Sequence, residues 1–588
     1  MTDPTASSPS PPPGATLRRD VRRATDDGYA DGLDLDVAVV GAGVSGLYTA
    51  FRLLDGDPDV GPGDVAVFEQ SDRVGGRLDS VVLPGLDHAG ELGGMRYDPD
   101  SHRIVDALVE DVFGDRLTAT DFPMGDPANH RRYLRGQRFP VSAWTDAQDA
   151  GREFETRYFL PDEHAGFSPP QLFRKVIHDV LDADPWFRER YGDRVWQAGE
   201  YDYRVDLDRR EWNDVKRHLT YEFEGPYEGL PLTEMGLWTV LQDRLGKEGH
   251  ELLTDAEGYY ALTANWNAAQ AMADVATDFA SPPDFNTVRG GFDLVAYALA
   301  DAVLADHGAT VWTRNALETF RPTPDADRRY ALTVANEPGD ATWTVHADRV
   351  VLAMPRRSLE LLDQYNFLFD DRDVERAVDS VFTRPALKLL LAFGEPWWRR
   401  EFGAEAGASR TDLPIRQCYY FQSNDAPDDD RALFLATYSD ERAVSFWSDL
   451  ADETDPRERR PADGGGDPNE TELRVDEAPD RMVDAAMEQV RELHGVDVPD
   501  PYAAYYKNWA NDPFGGGYNH WKPDVDVRSA MRFMRQPNPD HAVHVVGSAY
   551  SGRQGWVEGA LCTAEKTLQE HLDAAWPAWL PEEYYLGW

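Results

Sequence analysis

Val37-Ala38-Val39-Val40-Gly41-Ala42-Gly43-Val44-Ser45-Gly46-Leu47 is the stretch whose reading decides the fold. The apolar run before Gly41 has the pattern of a buried strand, and a helix is expected from Tyr48 to Leu54 after a glycine turn. Gly41 and Gly43 permit a tight turn and a close approach of the backbone to a pyrophosphate, while Gly46 lets the helix pack closely on the strand. The helix N-terminus, with Ser45 in its first turn, aims free N–H groups and its positive dipole end at the phosphates. A second apolar strand, Val65-Ala66-Val67-Phe68, ends at Glu69-Gln70, so a carboxylate stands where a ribose diol needs an acceptor. A tight strand-to-helix turn with no ligand is the plain alternative, and it leaves the placement of Glu69 unexplained.

Composition narrows what such a chain can be. At 588 residues, 41% of them hydrophobic and 11% aromatic, it can build two or three domains with cores of their own. The 106 acidic residues against 59 basic ones give a formal charge of −47, spread along the chain. That charge repels nucleic acid and anionic membranes and favours a high-salt setting in which self-repulsion is screened. Two cysteines, Cys418 and Cys562, build no disulfide framework and fit a reducing, cytoplasmic compartment. The fourteen histidines show no metal-ligand spacing, so no catalytic metal is expected. Residues 1–33, rich in Pro, Ser, Asp and Arg, read as a disordered, retained tail, since no apolar segment follows Arg18-Arg19 or Arg22-Arg23. No run of eighteen apolar residues suggests a membrane span.

The residues after Glu69 separate the dinucleotides. Glu69-Gln70-Ser71-Asp72-Arg73-Val74-Gly75-Gly76-Arg77-Leu78 resembles the E-x-x-x-R-x-G-G-R segment of the flavin amine oxidase superfamily, which implies FAD. On that resemblance Glu69 holds the adenosine ribose and Arg77 neutralises the pyrophosphate. Glu91-Leu92-Gly93-Gly94-Met95-Arg96 resembles the E-L-G-x-M-R segment of L-amino acid oxidases, where the arginine grips the substrate carboxylate. A planar guanidinium suits that task, although in so acidic a chain a structural ion pair is the rival role for Arg96.

Lys388 stands alone in the apolar run Ala386–Phe393, where burying an ammonium needs a reason. Together with Pro396-Trp397-Trp398-Arg399 it resembles the K…P-F-W-R segment of monoamine and amino acid oxidases, in which the lysine reaches flavin N5 through a water. Read without that resemblance, Lys388 is a snorkelling residue on an edge strand. Thr411-Asp412-Leu413-Pro414…Tyr419-Tyr420 matches the T-D-L-P…Y-Y run of L-amino acid oxidases. Tyr419 falls on an active-site tyrosine of that family, and Tyr438 on the one that shares the carboxylate with the arginine; each reads equally well as a packed strand aromatic. Near the C-terminal end, Gly517 lies where some monoamine oxidases attach FAD through cysteine, so the flavin is expected to be noncovalent. Gln554-Gly555-Trp556-Val557 opens the closing helix near the flavin's O2 edge, and Trp556 with Tyr518 would flank the substrate's α-carbon. Gly94, Met95, Gly547, Ser548 and the backbone near Leu317 complete the expected cofactor contacts. One departure stands out: the family usually carries a glutamate after the last strand, where this chain has Gly547-Ser548-Ala549.

The fold class expected is α/β: a discontinuous Rossmann-type FAD-binding domain (34–100, 284–356, 511–588), a sheet-based substrate domain (101–146, 357–510) and a helical insertion (147–283). Trp186, Trp196, Trp212 and Trp238 are read as the insertion's core. The charged stretch Asp455–Glu472 is read as a solvated loop. The resemblance implies an L-amino acid oxidase acting with O2, and a homodimer as often in the family. A monoamine or polyamine oxidase, an amino acid 2-monooxygenase and a flavin-binding protein without turnover remain open beside it.

Overall fold

Two large sheets carry the molecule, each organised around a strand buried on both sides. The computed structural model describes residues 13–56, 59–279, 284–324, 329–362, 366–451 and 476–588; the charged stretch 455–472 lies outside them.

The first sheet is seven-stranded. Its order runs Thr310–Trp312, Val65–Phe68, Leu33–Val40, Ala341–Leu352, Tyr330–Asn336, Asn315–Pro322, with Val543–Val545 pairing the end of Ala341–Leu352. Leu33–Val40 pairs in parallel with Val65–Phe68 on one side and Ala341–Leu352 on the other, so Val37 to Val40 are all buried, as an apolar run between two covered faces requires. The helices Val44–Gly56, Leu294–Asp301 and Val557–His571 pack on one face. This is the expected α/β architecture, assembled from three separated parts of the chain. Ala341–Leu352 is a single twelve-residue strand, antiparallel to one neighbour and parallel to two.

The second sheet has eight strands in the order Asp476–Glu477, Ala503–Asn508, Ala386–Phe393, Ala432–Asp440, Gln417–Ser423, Gly407–Thr411, Arg131–Leu134, Gln137–Pro140. Every residue of Ala386–Phe393 is buried. Leu387, Leu389, Leu391 and Phe393 face a core shared with Asp480–His494, and Leu390 and Ala392 face the first domain. Within 147–283 the main helices are Pro169–Ala183, Arg209–Lys216 and Leu237–Ala256. Trp212 is buried at 2% exposure, but Trp196 and Trp238 are 45% and 49% exposed. Trp238 lies on the side of its helix away from Leu237, Val240 and Leu241, and Trp196 sits in the hairpin Val195–Val205, so neither belongs to the core.

Arg103–Ala107 and the π-turn Leu108–Val112 present Ile104, Val105, Leu108 and Val109 to the nucleotide-side core, where the Glu558 carboxylate accepts the N–H groups of Ile104 and Val105 at 3.1 and 3.0 Å. The second sheet therefore takes its first strand only at Arg131.

At the N-terminus, Ala15–Ala24 is a docked helix, contrary to the disordered tail expected there. Val21 is 1% exposed, and Arg18, 3% exposed, forms an ion pair with buried Asp293 and donates to the Gly290 carbonyl at 2.8 Å. One arginine of this basic segment thus has its counter-charge inside the domain. Arg18→Met leaves Asp293 buried and unpaired, a loss of about 3–5 kcal/mol. Calorimetry should show a clearly lower melting temperature, and a variant melting with the wild type would mean the helix adds nothing to stability.

Candidate active site

One cavity of about 1590 Å³ runs between the two sheets. Every residue named above for cofactor or substrate lines it except Gly46. A Cβ at Gly46 would collide with the Gly41 carbonyl, so this glycine sets the packing of helix on turn and does not face the cavity.

At the nucleotide end, Gly41 has φ +109° and no room for a side chain beside the Ala353 carbonyl, whereas a Cβ on Gly43 would point into open space. The second glycine loop packs against this turn, Gly75 donating to the Ala42 carbonyl at 2.9 Å. The Glu69 carboxylate accepts from the Ala42 N–H at 2.8 Å and from the Ser71 N–H and hydroxyl at 2.8 and 2.7 Å, which aims it at the cavity from the tip of its strand. Arg77 donates to the Gly517 carbonyl at 3.2 Å and to the Ser548 hydroxyl at 3.0 Å. Burial pushes its guanidinium below the usual arginine range, with the Asp512 charge opposing, and no carboxylate pairs with it among the described residues. Ser548, at the position where a glutamate was expected, thus holds the Arg77 guanidinium. A long cavity, an under-compensated guanidinium, an exposed glycine edge at a thirteen-residue helix and a fixed acceptor fit a flavin dinucleotide.

At the other end, Lys388 is 2% exposed and sits on a central strand, not an edge: it pairs with Tyr438 on one side and Lys507 on the other. Its Nζ donates to the carbonyls of Gly93 at 2.6 Å and Glu91 at 3.1 Å, and lies 4.5 Å from the Tyr438 ring centroid. Burial lowers its affinity for a proton, Glu91 counteracts this, and Arg96 adds to it. Arg96 is half-buried, its guanidinium 4.1 Å from the Phe285 ring centroid and 5.3 Å from that of Phe122, with a 3.2 Å contact to Met124 Sδ. Among the described residues it has no ion-pair partner.

The Tyr438 ring meets Tyr259 edge-on at 5.0 Å, and Tyr419 donates to Gln417 at 3.3 Å. Trp556 stacks on Phe285 at 6.1 Å and 16°. Tyr518 has its hydroxyl committed to Asp440 at 2.7 Å; that carboxylate also accepts the N–H groups of Tyr260 and Ala261 at 2.8 and 2.9 Å, tying the insertion to the sheet. Sequence reasoning missed Tyr259, Met124 and Phe285 as site walls. Tyr259 comes from the insertion, where no local pattern marks which aromatic turns inward.

A two-lobed α/β fold with a dinucleotide cradle beside a buried ammonium defines a redox enzyme. The chain belongs to the family described as flavin containing amine oxidoreductase, whose profile matches residues 44–460 and 463–567. Among its relatives, Aplysianin-A of Aplysia kurodai is 26% identical over 572 residues, 94% of this chain and 92% of that protein. L-amino-acid oxidase of Mus musculus is 24% identical, covering 89% of this chain and 69% of the relative. A putrescine oxidase double mutant from a redesign of cofactor binding shares the fold with a TM-score of 0.61 at 17% identity, over 92% of this chain and 99% of that one. Among the described residues no helix is long and apolar enough to cross a membrane, and no cluster of metal-binding side chains occurs.

Proposed function

We propose that this protein is an FAD-dependent L-amino acid oxidase, converting an L-α-amino acid and O2 to a 2-oxo acid, ammonia and hydrogen peroxide. The observation that carries the reading is Arg96, a cation without a carboxylate partner among the described residues, in the same cavity as Lys388. Its ring contacts cover the guanidinium face and leave in-plane donors for a bidentate acid. A simple amine offers nothing to such a group. The similarity to the mouse L-amino-acid oxidase adds support.

Glu69 and Arg77 would hold the ribose and pyrophosphate of FAD, which supplies hydride acceptance and reoxidation by O2 when bound. Both cysteines are buried and neither lines the cavity, which supports noncovalent binding. Arg96 and Tyr438 orient the substrate by its carboxylate, and Tyr419 and Trp556 wall off water. Lys388 keeps a donor, fixed by two carbonyls, where charge changes during the reaction. Positioning and electrostatics are the protein's share, and no side-chain base is needed.

Incubating the FAD-loaded protein with each of the twenty L-amino acids and with putrescine at high salt tests this. Peroxide with a 2-oxo acid and ammonia is expected from amino acids only. Turnover of the diamine alone, an amide with carbon dioxide, or a flavin that stays oxidised under anaerobic amino acids would each overturn the assignment.

A further inference from the structure

Beyond the carboxylate clamp, the cavity wall continues along the same face of the second sheet. Arg410 pairs with Gln417 and with Arg132, and Gln417 lies two residues along its strand from the cavity residue Tyr419, so these side chains share one face. Arg132, Arg410 and Glu257 all line the cavity. Glu257 precedes the site wall residue Tyr259 by two positions, as Gln417 precedes Tyr419.

Most of the hydrogen-bonding capacity in this cluster is already used. Arg132 Nη1 donates to the Ala256 carbonyl, Arg410 Nη1 to Glu257 Oε2 at 3.0 Å, and Gln417 Oε1 accepts from Tyr419. Among the described residues three polar atoms of the cluster remain without any partner: Arg132 Nε and Glu257 Oε1, whose residues line the cavity and are only 3% and 8% exposed, and Gln417 Nε2, whose residue is fully buried behind them. Burial pushes the Arg132 guanidinium down to about 10, Glu257 opposing and Arg410 assisting. Folded proteins leave few buried polar atoms unpaired, and a donor and an acceptor orphaned together on a cavity wall ask for a ligand group offering both complements.

A carboxamide does so: its oxygen accepts from Arg132 Nε and its NH2 donates to Glu257 Oε1. A carboxylate would face the free Glu257 oxygen with like charge, an ammonium would face two guanidiniums, and an alkyl end would leave both orphans unpaired. Reach favours the longer amide. Arg410 lies one strand and Arg132 two strands from Tyr419, about 5 and 10 Å across the sheet and about 7 Å along it. Glutamine carries its amide one methylene further towards them than asparagine does.

We infer that Arg132 and Glu257 form the side-chain subsite of this active site, and that it takes an L-α-amino acid ending in a carboxamide at glutamine length. This rests on the amino acid oxidase reading above. The FAD-loaded protein is assayed with L-glutamine, L-methionine, L-glutamate and L-asparagine, by peroxide release and by calorimetric titration without O2. Glutamine is expected to bind at least tenfold more tightly than the other three and to exceed them tenfold in kcat/KM. In Arg132→Met the glutamine-to-methionine ratio should collapse towards one. Methionine or glutamate matching glutamine in the unaltered enzyme overturns the subsite while leaving the oxidase reading intact. Absence of binding and turnover with every amino acid overturns both. The panel on the unaltered enzyme decides the matter even if the variant fails to fold.

Discussion

Arg96→Ala is expected to raise KM for amino acids by about two to three powers of ten while FAD stays bound. Truncating one partner of a buried, hydrogen-bonded charge pair costs about 2–5 kcal/mol, and each 1.4 kcal/mol is a factor of ten. The loss should concentrate in binding, because Arg96 meets the acid end and not the bond that breaks. Its neighbours Phe122, Phe285 and Met124 are apolar, so the alanine variant leaves no orphaned charge behind and should keep its fold. Steady-state kinetics with the flavin absorbance as a loading control decides. An unchanged KM would remove Arg96 from the substrate site and return the simple-amine reading to the front.

Lys388→Met should slow flavin reduction or reoxidation by roughly a hundredfold or more, the scale on which a preorganised donor at a charge-developing centre matters. The methionine is nearly isosteric and the strand is buried on both sides, so a clean rate effect is expected without loss of secondary structure. The pH profile supplies a second readout. Burial lowers the ammonium's hold on its proton, with Arg96 adding to the effect and Glu91 counteracting it. The wild-type rate should therefore fall on the alkaline side at a pH below the ordinary lysine value, and that limb should be missing from the variant. Stopped-flow traces for each half-reaction across pH test both statements, and a variant as fast as wild type would take Lys388 out of the chemistry.

The nucleotide half of the cavity was legible because its constraints are local. Gly46 is forced by the Gly41 carbonyl one turn away, and Glu69 follows directly from the end of a strand, so a short motif contains most of the geometry; only the Ala353 carbonyl that crowds Gly41 comes from far along the chain. Lys388 was conspicuous for a related reason: a charge among seven apolar neighbours has few explanations. Its position on a central strand was not legible, since pairing partners lie fifty and more than a hundred residues away. The same distance hid Tyr259 and Glu257, which reach the cavity from the insertion. The helix Ala15–Ala24 was missed because its composition is that of a tail; only Asp293, far along the chain, makes a buried Arg18 tolerable. Trp196 and Trp238 failed in the other direction, as large apolar residues that find no partner layer. Ser548 could be seen as a departure from the family pattern, but its contact with Arg77 could not.

Asp440 bears on how such enzymes diversify. Because one carboxylate receives two main-chain N–H groups of the insertion and the Tyr518 hydroxyl, this contact between the modules is blind to side-chain identity on the insertion's side, whereas Glu248, Glu251 and Glu257 are held by their carboxylates to Arg135 and Arg410. A foreign insertion whose short turn offers the same pair of amides, with acids placed for those two arginines, could be grafted onto this scaffold, bringing a new substrate wall while leaving the cofactor half untouched. Specificity could then change by exchange of a cassette, with Asp440 as its latch.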